Sequence, residues 1–142
     1  VRVDRYQAHA GVQVDNGQFM STIEIGPQNR GPVKLANCGF WGTEATQEHV
    51  RQRGPSTLVL TGCHFTGWDH AKKGDPCIRA EGGRLIVNGC VFMDEGKRAI
   101  VLEKGLQAAA IFGCAFRGPQ AVQDQSGADV QIGLNATALS SK

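Results

Sequence analysis

The sequence is defined first by what it lacks. Its 142 residues hold no apolar run near 18 residues, the length a membrane-spanning helix needs, so no such span is read. Aromatic residues make up only 6%, and the formal net charge is +2 with both signs mixed along the chain. That balance gives no electrostatic drive toward nucleic acid, and the aromatic–basic interleaving of RNA-binding surfaces is missing as well. No Cys-x-x-Cys or His-x-x-x-His pair occurs, which removes the common zinc spacings. The five cysteines are an odd count and do not suit a disulfide framework. Neither a charged-then-apolar leader nor a small-residue cleavage site opens the chain. The start Val1-Arg2-Val3, without Met, reads as that of a processed, excised or truncated piece of something longer. Helical periodicity is scarce too: apolar residues at i, i+3, i+4 can be argued only for Thr43–Val50 and Leu106–Phe112, and both are short.

What is present is repetition. The phrase Gly-Cys-x-Phe, with Asn in one copy, recurs at Asn37-Cys38-Gly39-Phe40, Gly62-Cys63-His64-Phe65, Gly89-Cys90-Val91-Phe92 and Gly113-Cys114-Ala115-Phe116. The cysteines are 25, 27 and 24 residues apart (63−38, 90−63, 114−90), and self-similarity at such a period marks a stacked repeat protein. Aligned on the cysteines, Val50–Arg53, Ile78–Glu81 and Ile100–Glu103 each precede a turn. A second alternating run then leads into the Cys motif. Weaker copies flank these, at Ile23-Glu24-Ile25 and at Val122–Gln125 leading to Asn135. Short alternating runs separated by Gly, Pro or Asn are strand periodicity with turn punctuation. The Leu-x-x-Leu-x-Leu consensus of leucine-rich repeats is absent. The expected fold is therefore all-β, a right-handed parallel β-helix of about five coils, one per repeat. It reads as a fragment of a longer β-helix.

Stacking explains the residue choice. Coils pair strand on strand at ~4.8 Å, so each inward residue meets its own copy above and below. Cysteine, small and weakly polar, suits that interior. Phenylalanine two residues on points the same way, which predicts a Cys column beside a Phe column. Asn37, Asn88 and Asn135 fall near a corner, where amides bond backbone and one another. The coils are assigned to residues 21–135, an N-terminal edge or capping segment to 1–20, and a C-terminal tail to 136–142. A β-helix leaves open sheet edges at its ends, so a missing segment or a partner chain is expected to cover one of them.

This pattern resembles the pectate-lyase-like superfamily of right-handed β-helices, over roughly Ser21 to Asn135. The resemblance is one of architecture and interior ladder. It implies a polysaccharide or oligosaccharide as ligand, no nucleic-acid or membrane partner, and a secreted, extracellular or periplasmic setting. It implies a substrate groove along the outside of one parallel sheet, walled by turn loops. The Asn-Thr-Asp, Asp-Asp, Gly-His-Gly and Arg-Ile-Lys motifs of its pectin hydrolases are absent, and Cys77-Ile78-Arg79-Ala80 only echoes the last. No cofactor is implied, except Ca²⁺ under a lyase-like reading in which Asp69, Asp75 and Arg79 stand in for the lyase residues.

The register names candidate residues. With Ile78, Ala80, Ile100 and Leu102 inward, Arg53, Glu81, Glu103 and Gln125 form one outward column. Glu24, Arg51, Arg79, Val101 and Gln123 form the next. Glu81 and Glu103, one coil apart, are the candidate acid/base pair, at a separation that suits glycoside hydrolysis. Arg53 and Arg79 hold an anionic sugar or neutralise that pair. A solvated ladder of mixed charge is the competing reading. The loop Gly67–Pro76 is the second candidate: Trp68 to stack on a sugar, Asp69 and His70 as acid or base, Lys72 as a binding cation. Trp41, one coil earlier, extends the platform; the alternative makes both tryptophans outer packing anchors. The loop Met93–Arg98 reads as a solvated turn. The first functional expectation is a polysaccharide hydrolase or lyase segment. The alternatives are a non-catalytic glycan-binding or structural scaffold, and an assembly piece pairing with another β-helical chain.

Overall fold

Each turn of the repeat lays down three short strands. The computed structural model describes residues 1–4, 10–119 and 121–137. The first set is β1 (Arg2–Val3), β2 (Val12–Asp15) and β3 (Gln18–Phe19); the second is β4 (Ile23–Ile25), β5 (Val33–Ala36) and β6 (Gly39–Phe40). The third holds β7 (Val50–Gln52), β8 (Thr57–Thr61) and β9 (His64–Phe65), and the fourth β10 (Ile78–Ala80), β11 (Gly83–Asn88) and β12 (Val91–Phe92). The fifth holds β13 (Ile100–Leu102), β14 (Leu106–Phe112) and β15 (Ala115–Phe116), and the last β16 (Val122–Asp124), β17 (Asp129–Gly133) and β18 (Ala136–Thr137). Corresponding strands pair in parallel into three six-stranded sheets. We call them A (β1, β4, β7, β10, β13, β16), B (the second strand of each set) and C (the third). The chain is a right-handed parallel β-helix of about five turns, with no helix among the described residues.

The interior is made of columns. Phe19, Phe40, Phe65, Phe92 and Phe116 stack ring on ring, with centroids 5.1, 4.6, 4.9 and 5.0 Å apart. Beside them the thiols of Cys38, Cys63, Cys90 and Cys114 donate to the carbonyls of Val14, Leu35, Leu60 and Val87, at 3.7, 3.4, 3.5 and 3.7 Å. Each acceptor lies one coil back, in one register column of sheet B. The repeated cysteine is thus a small buried group whose weak donor finds the same partner in every turn. All five cysteines are free and buried, and burial pushes the Cys77 thiol well up.

The corner between sheets B and C is two residues long, the first of them left-handed. Asn16, Asn37, Gly62, Gly89, Gly113 and Leu134 occupy that first place in successive coils, all with φ between 54° and 67°. Glycine and asparagine are the residues that tolerate this conformation, which is why they precede the cysteines. The expected asparagine contacts occur only in part. The Asn135 amide bonds the backbone of Cys114 and Ile111, and Asn37 reaches Asp15 instead of another amide.

At its two ends the chain follows the same rule. The described part of 1–20, read above as an edge or capping segment, supplies one strand to each sheet. In the last set, Asn135 stands where cysteine would be and Thr137 where phenylalanine would be. Ile132 and Leu134 are exposed there. Residues 138–142 of the tail lie outside the described residues. One interior polar group stands out in the middle of the rod. His49 is fully buried between Phe40, Phe65 and Trp68, and its Nε2 lies 2.7 Å from the Thr66 carbonyl. The carbonyl can only accept, so Nε2 carries the proton and Nδ1 is left without a partner. Burial lowers the pKa of this ring.

Candidate functional site

The outer face of sheet A carries the densest charge on the rod. Its register runs Glu24, Arg51, Arg79, Val101, Gln123 along one column, as the repeat predicts. Arg53, Glu81, Glu103 and Gln125 follow one step beyond the inward residues, each amide bonded to the coil before. Side chains connect the two columns on the diagonal. Arg51 meets Glu81 with both ends of its fork, Nη2 to Oε1 at 3.0 Å and Nε to Oε2 at 3.3 Å. Arg79 repeats the move one coil on, Nη1 to Glu103 Oε1 at 2.6 Å, while Arg53 leans back to Glu24.

Arg79 is the hub of this face. Besides Glu103, its Nε donates to Glu48 Oε1 at 2.6 Å, and Asp75 lies 3.7 Å from Nη2. Burial opposes its charge, but the hydrogen bond and charge of Glu48, followed by those of Glu103, outweigh this and raise its pKa. For Arg51 the hydrogen bond it donates to Glu81 is the main cause of a raised pKa. The diagonal stops at Val101, where a further arginine would have to stand. Val101 faces outward in the register yet is fully buried, because the side chains around its column close over it; Arg98, for one, bridges the Gly74 carbonyl and Gln123. Where the guanidinium ladder ends, a hollow of about 360 Å³ opens, lined by Glu81, Glu103, Lys104 and Gln125. Glu81 and Glu103 are therefore neighbours, as expected, but each is already engaged by its own arginine.

The Gly67–Pro76 loop is built differently from the expectation of a sugar platform. Trp68 is fully buried, its Nε1 donating to the Arg98 carbonyl at 3.0 Å and its ring meeting Phe92 edge to face. Lys97 lies over the same ring at 5.4 Å. Asp69 is buried as well, with φ +50°, and its two carboxylate oxygens accept from the amides of Lys73 and Gly74 at 2.9 and 3.0 Å. It folds the loop and is not among the residues that line the hollow described above. His70 and Lys72 are exposed on the loop. Trp41 does not join Trp68: it sits at the end of a sheet C strand, half-exposed, on the outside of the rod. The loop read as a solvated turn has an inner job, since Asp94 accepts from the Thr66 hydroxyl, the Gly67 amide and Lys97.

Among the described residues no group of three His, Cys, Asp or Glu is placed to hold a metal ion. Sequence reasoning missed Glu48 and Lys104. Glu48 lies before the strand, where no alternation assigns it a face. Lys104 sits in the turn after the charged column, and a turn carries no period. The fold and this face define a parallel β-solenoid with a polar outer sheet. Compared with protein-family models, curated proteins and solved structures, the chain matches none.

Proposed function

We propose that the chain is a non-catalytic β-helix scaffold that binds glycan along the outer face of sheet A. The observation that carries this reading is the state of the carboxylates: Glu81 and Glu103 border the hollow, and each is hydrogen-bonded to a guanidinium. A general acid needs a carboxyl kept protonated by burial or by an unpaired like charge. An arginine partner instead engages the carboxylate as a fixed hydrogen-bond acceptor. Fixed acceptors, Lys104 as donor and the Gln125 amide as both suit sugar hydroxyls, which donate and accept in turn. The volume falls within the range of small-ligand sites.

The test is a polysaccharide panel read two ways on wild type, Glu81→Gln and Glu103→Gln: binding by calorimetry, and turnover by reducing-sugar and unsaturated-product assays. The scaffold reading expects a saturable ligand, weakened in both variants, with no product. A product formed by wild type and lost in both variants would instead establish the hydrolase or lyase segment at this hollow. Binding that is unchanged in both variants would remove the ligand from sheet A.

A further inference from the structure

The opposite kind of surface lies on sheet C. Its outward column reads Gln18, Gly39, His64, Val91, Ala115 and Ala136, without a charged residue. Two residues on in each coil lie Met20, Trp41, Thr66 and Met93, and in the fifth coil Arg117, paired with Glu95 at 3.6 Å. Met20 is 64% exposed, Trp41 49%, Val91 43% and Met93 49%. Within this strip the indole of Trp41 is held at two points. Its Nε1 donates to Gln18 Oε1 at 2.7 Å, one coil back, and its ring meets His64, one coil forward, at 5.9 Å and 89°. Gly39 lies between these two anchors. A Cβ there would come within 2.5 Å of Gln18 Oε1 and 2.8 Å of His64 Nε2, so only glycine lets the two side chains close in. Gln18 and His64 therefore close over Gly39, and the indole rests on both, its polar nitrogen satisfied within the protein and half its surface open.

We infer that Trp41 is a pre-set stacking platform for the apolar face of a neutral pyranose, on a face separate from the sheet A hollow. An aromatic ring already fixed in place stacks a ligand without ordering itself first. A pyranose with equatorial hydroxyls presents such a face as a patch of C–H groups. Met20, Val91 and Met93 continue the contact along the rod, one coil per ~4.8 Å, in the direction a linear glycan would run. A second copy of this chain is the other conceivable occupant. Four side chains exposed by roughly half fall well short of the ~800 Å² per partner that a stable protein interface buries. This inference does not depend on the sheet A proposal.

The experiment uses cellohexaose, xylohexaose and mannohexaose as probes, followed by calorimetry and by tryptophan emission. Trp68, the other tryptophan, is buried, so a ligand-induced emission change reports Trp41. At least one probe is expected to bind saturably at millimolar concentration or below. Trp41→Ala is expected to weaken it at least tenfold, Trp41→Phe to retain part of it, and Gly39→Ala to weaken it with the ring still present. Circular dichroism confirms that each variant keeps its strands. Arg84→Gln, at an exposed position of sheet B outside both faces, should leave this binding unchanged. Binding indifferent to Trp41→Ala, or no saturable binding by any probe, overturns the inference. So does a concentration-dependent dimer in sedimentation that Trp41→Ala abolishes, which would make the strip a contact between copies.

Discussion

Sheets A and C are built by the same coils, with the same spacing and the same inward periodicity, yet their outer faces diverge. On sheet A, Arg51 and Arg79 each find a glutamate one coil on and two residues along, and Arg53 reaches back to Glu24. On sheet C the outward column from Gln18 to Ala136 carries no charge, and one tryptophan rests on Gln18 and His64. Interior columns constrain only every second residue of a strand, so the outward set is free to specialise sheet by sheet. Two neighbouring faces of one rod thus present different chemistry to solvent.

The comparison breaks most easily at Arg79. Its side chain is 19% exposed and joins Glu48, itself 11% exposed, to Glu103 and Asp75. Arg79→Met leaves those carboxylates facing one another with little water, and should destabilise by about 3 kcal/mol in urea denaturation. A loss under ~1 kcal/mol would mean that the sheet A network holds ligand and not fold. The next test lies at the corner where sheet C turns into sheet A. His49 is neutral in the interior, with a pKa below its unfolded value of about 6.5. Between those two values the unfolded chain binds the extra proton, so stability is intact above about pH 6.5 and falls as pH drops below it. Urea midpoints across that range should show this slope, and His49→Phe should flatten it. The smallest effects distinguish the faces themselves. Glu81→Gln breaks a partly exposed pair and should cost no more than about 1 kcal/mol, less in high salt. Met93→Gln on sheet C should stay within about 0.5 kcal/mol and show no salt dependence. Equal salt responses in the two variants would erase the distinction.

The repeat made much of this readable in advance. A Gly-Cys-x-Phe echo has one physical solution once helices are excluded, and it sets the register to the residue. Arg51, Arg79 and Val101 accordingly stand in one column. What the register leaves open is which way a long side chain leans. Arg51 pairs with Glu81 on a diagonal, and Arg53 turns to the coil behind, because a guanidinium reaches further than one strand spacing. Loops were less legible still. Trp68 follows Gly67 after the strand has ended, so no alternation assigns it inward or outward. Its burial depends on Arg98 and Lys97, which lie in the loop of the next coil. Asp69 has the composition of a catalytic acid and the geometry of a turn. Val101 shows the converse: an outward position whose neighbours are long enough to bury it.

The two-residue corner between sheets B and C has a consequence for how this chain tolerates change over evolution. That corner is the same in every coil, whereas the connections from sheet C to sheet A run over 41–49, 66–77, 93–99 and 117–121 and share no common length. The unequal cysteine spacing is taken up at the other two corners. Inserting even one residue at the left-handed corner would shift a thiol off its carbonyl and a phenylalanine out of its stack at once. An insertion on the other side of sheet C only lengthens a wall. The rod therefore has a seam that resists length change and a margin open to it, and the margin borders the charged face.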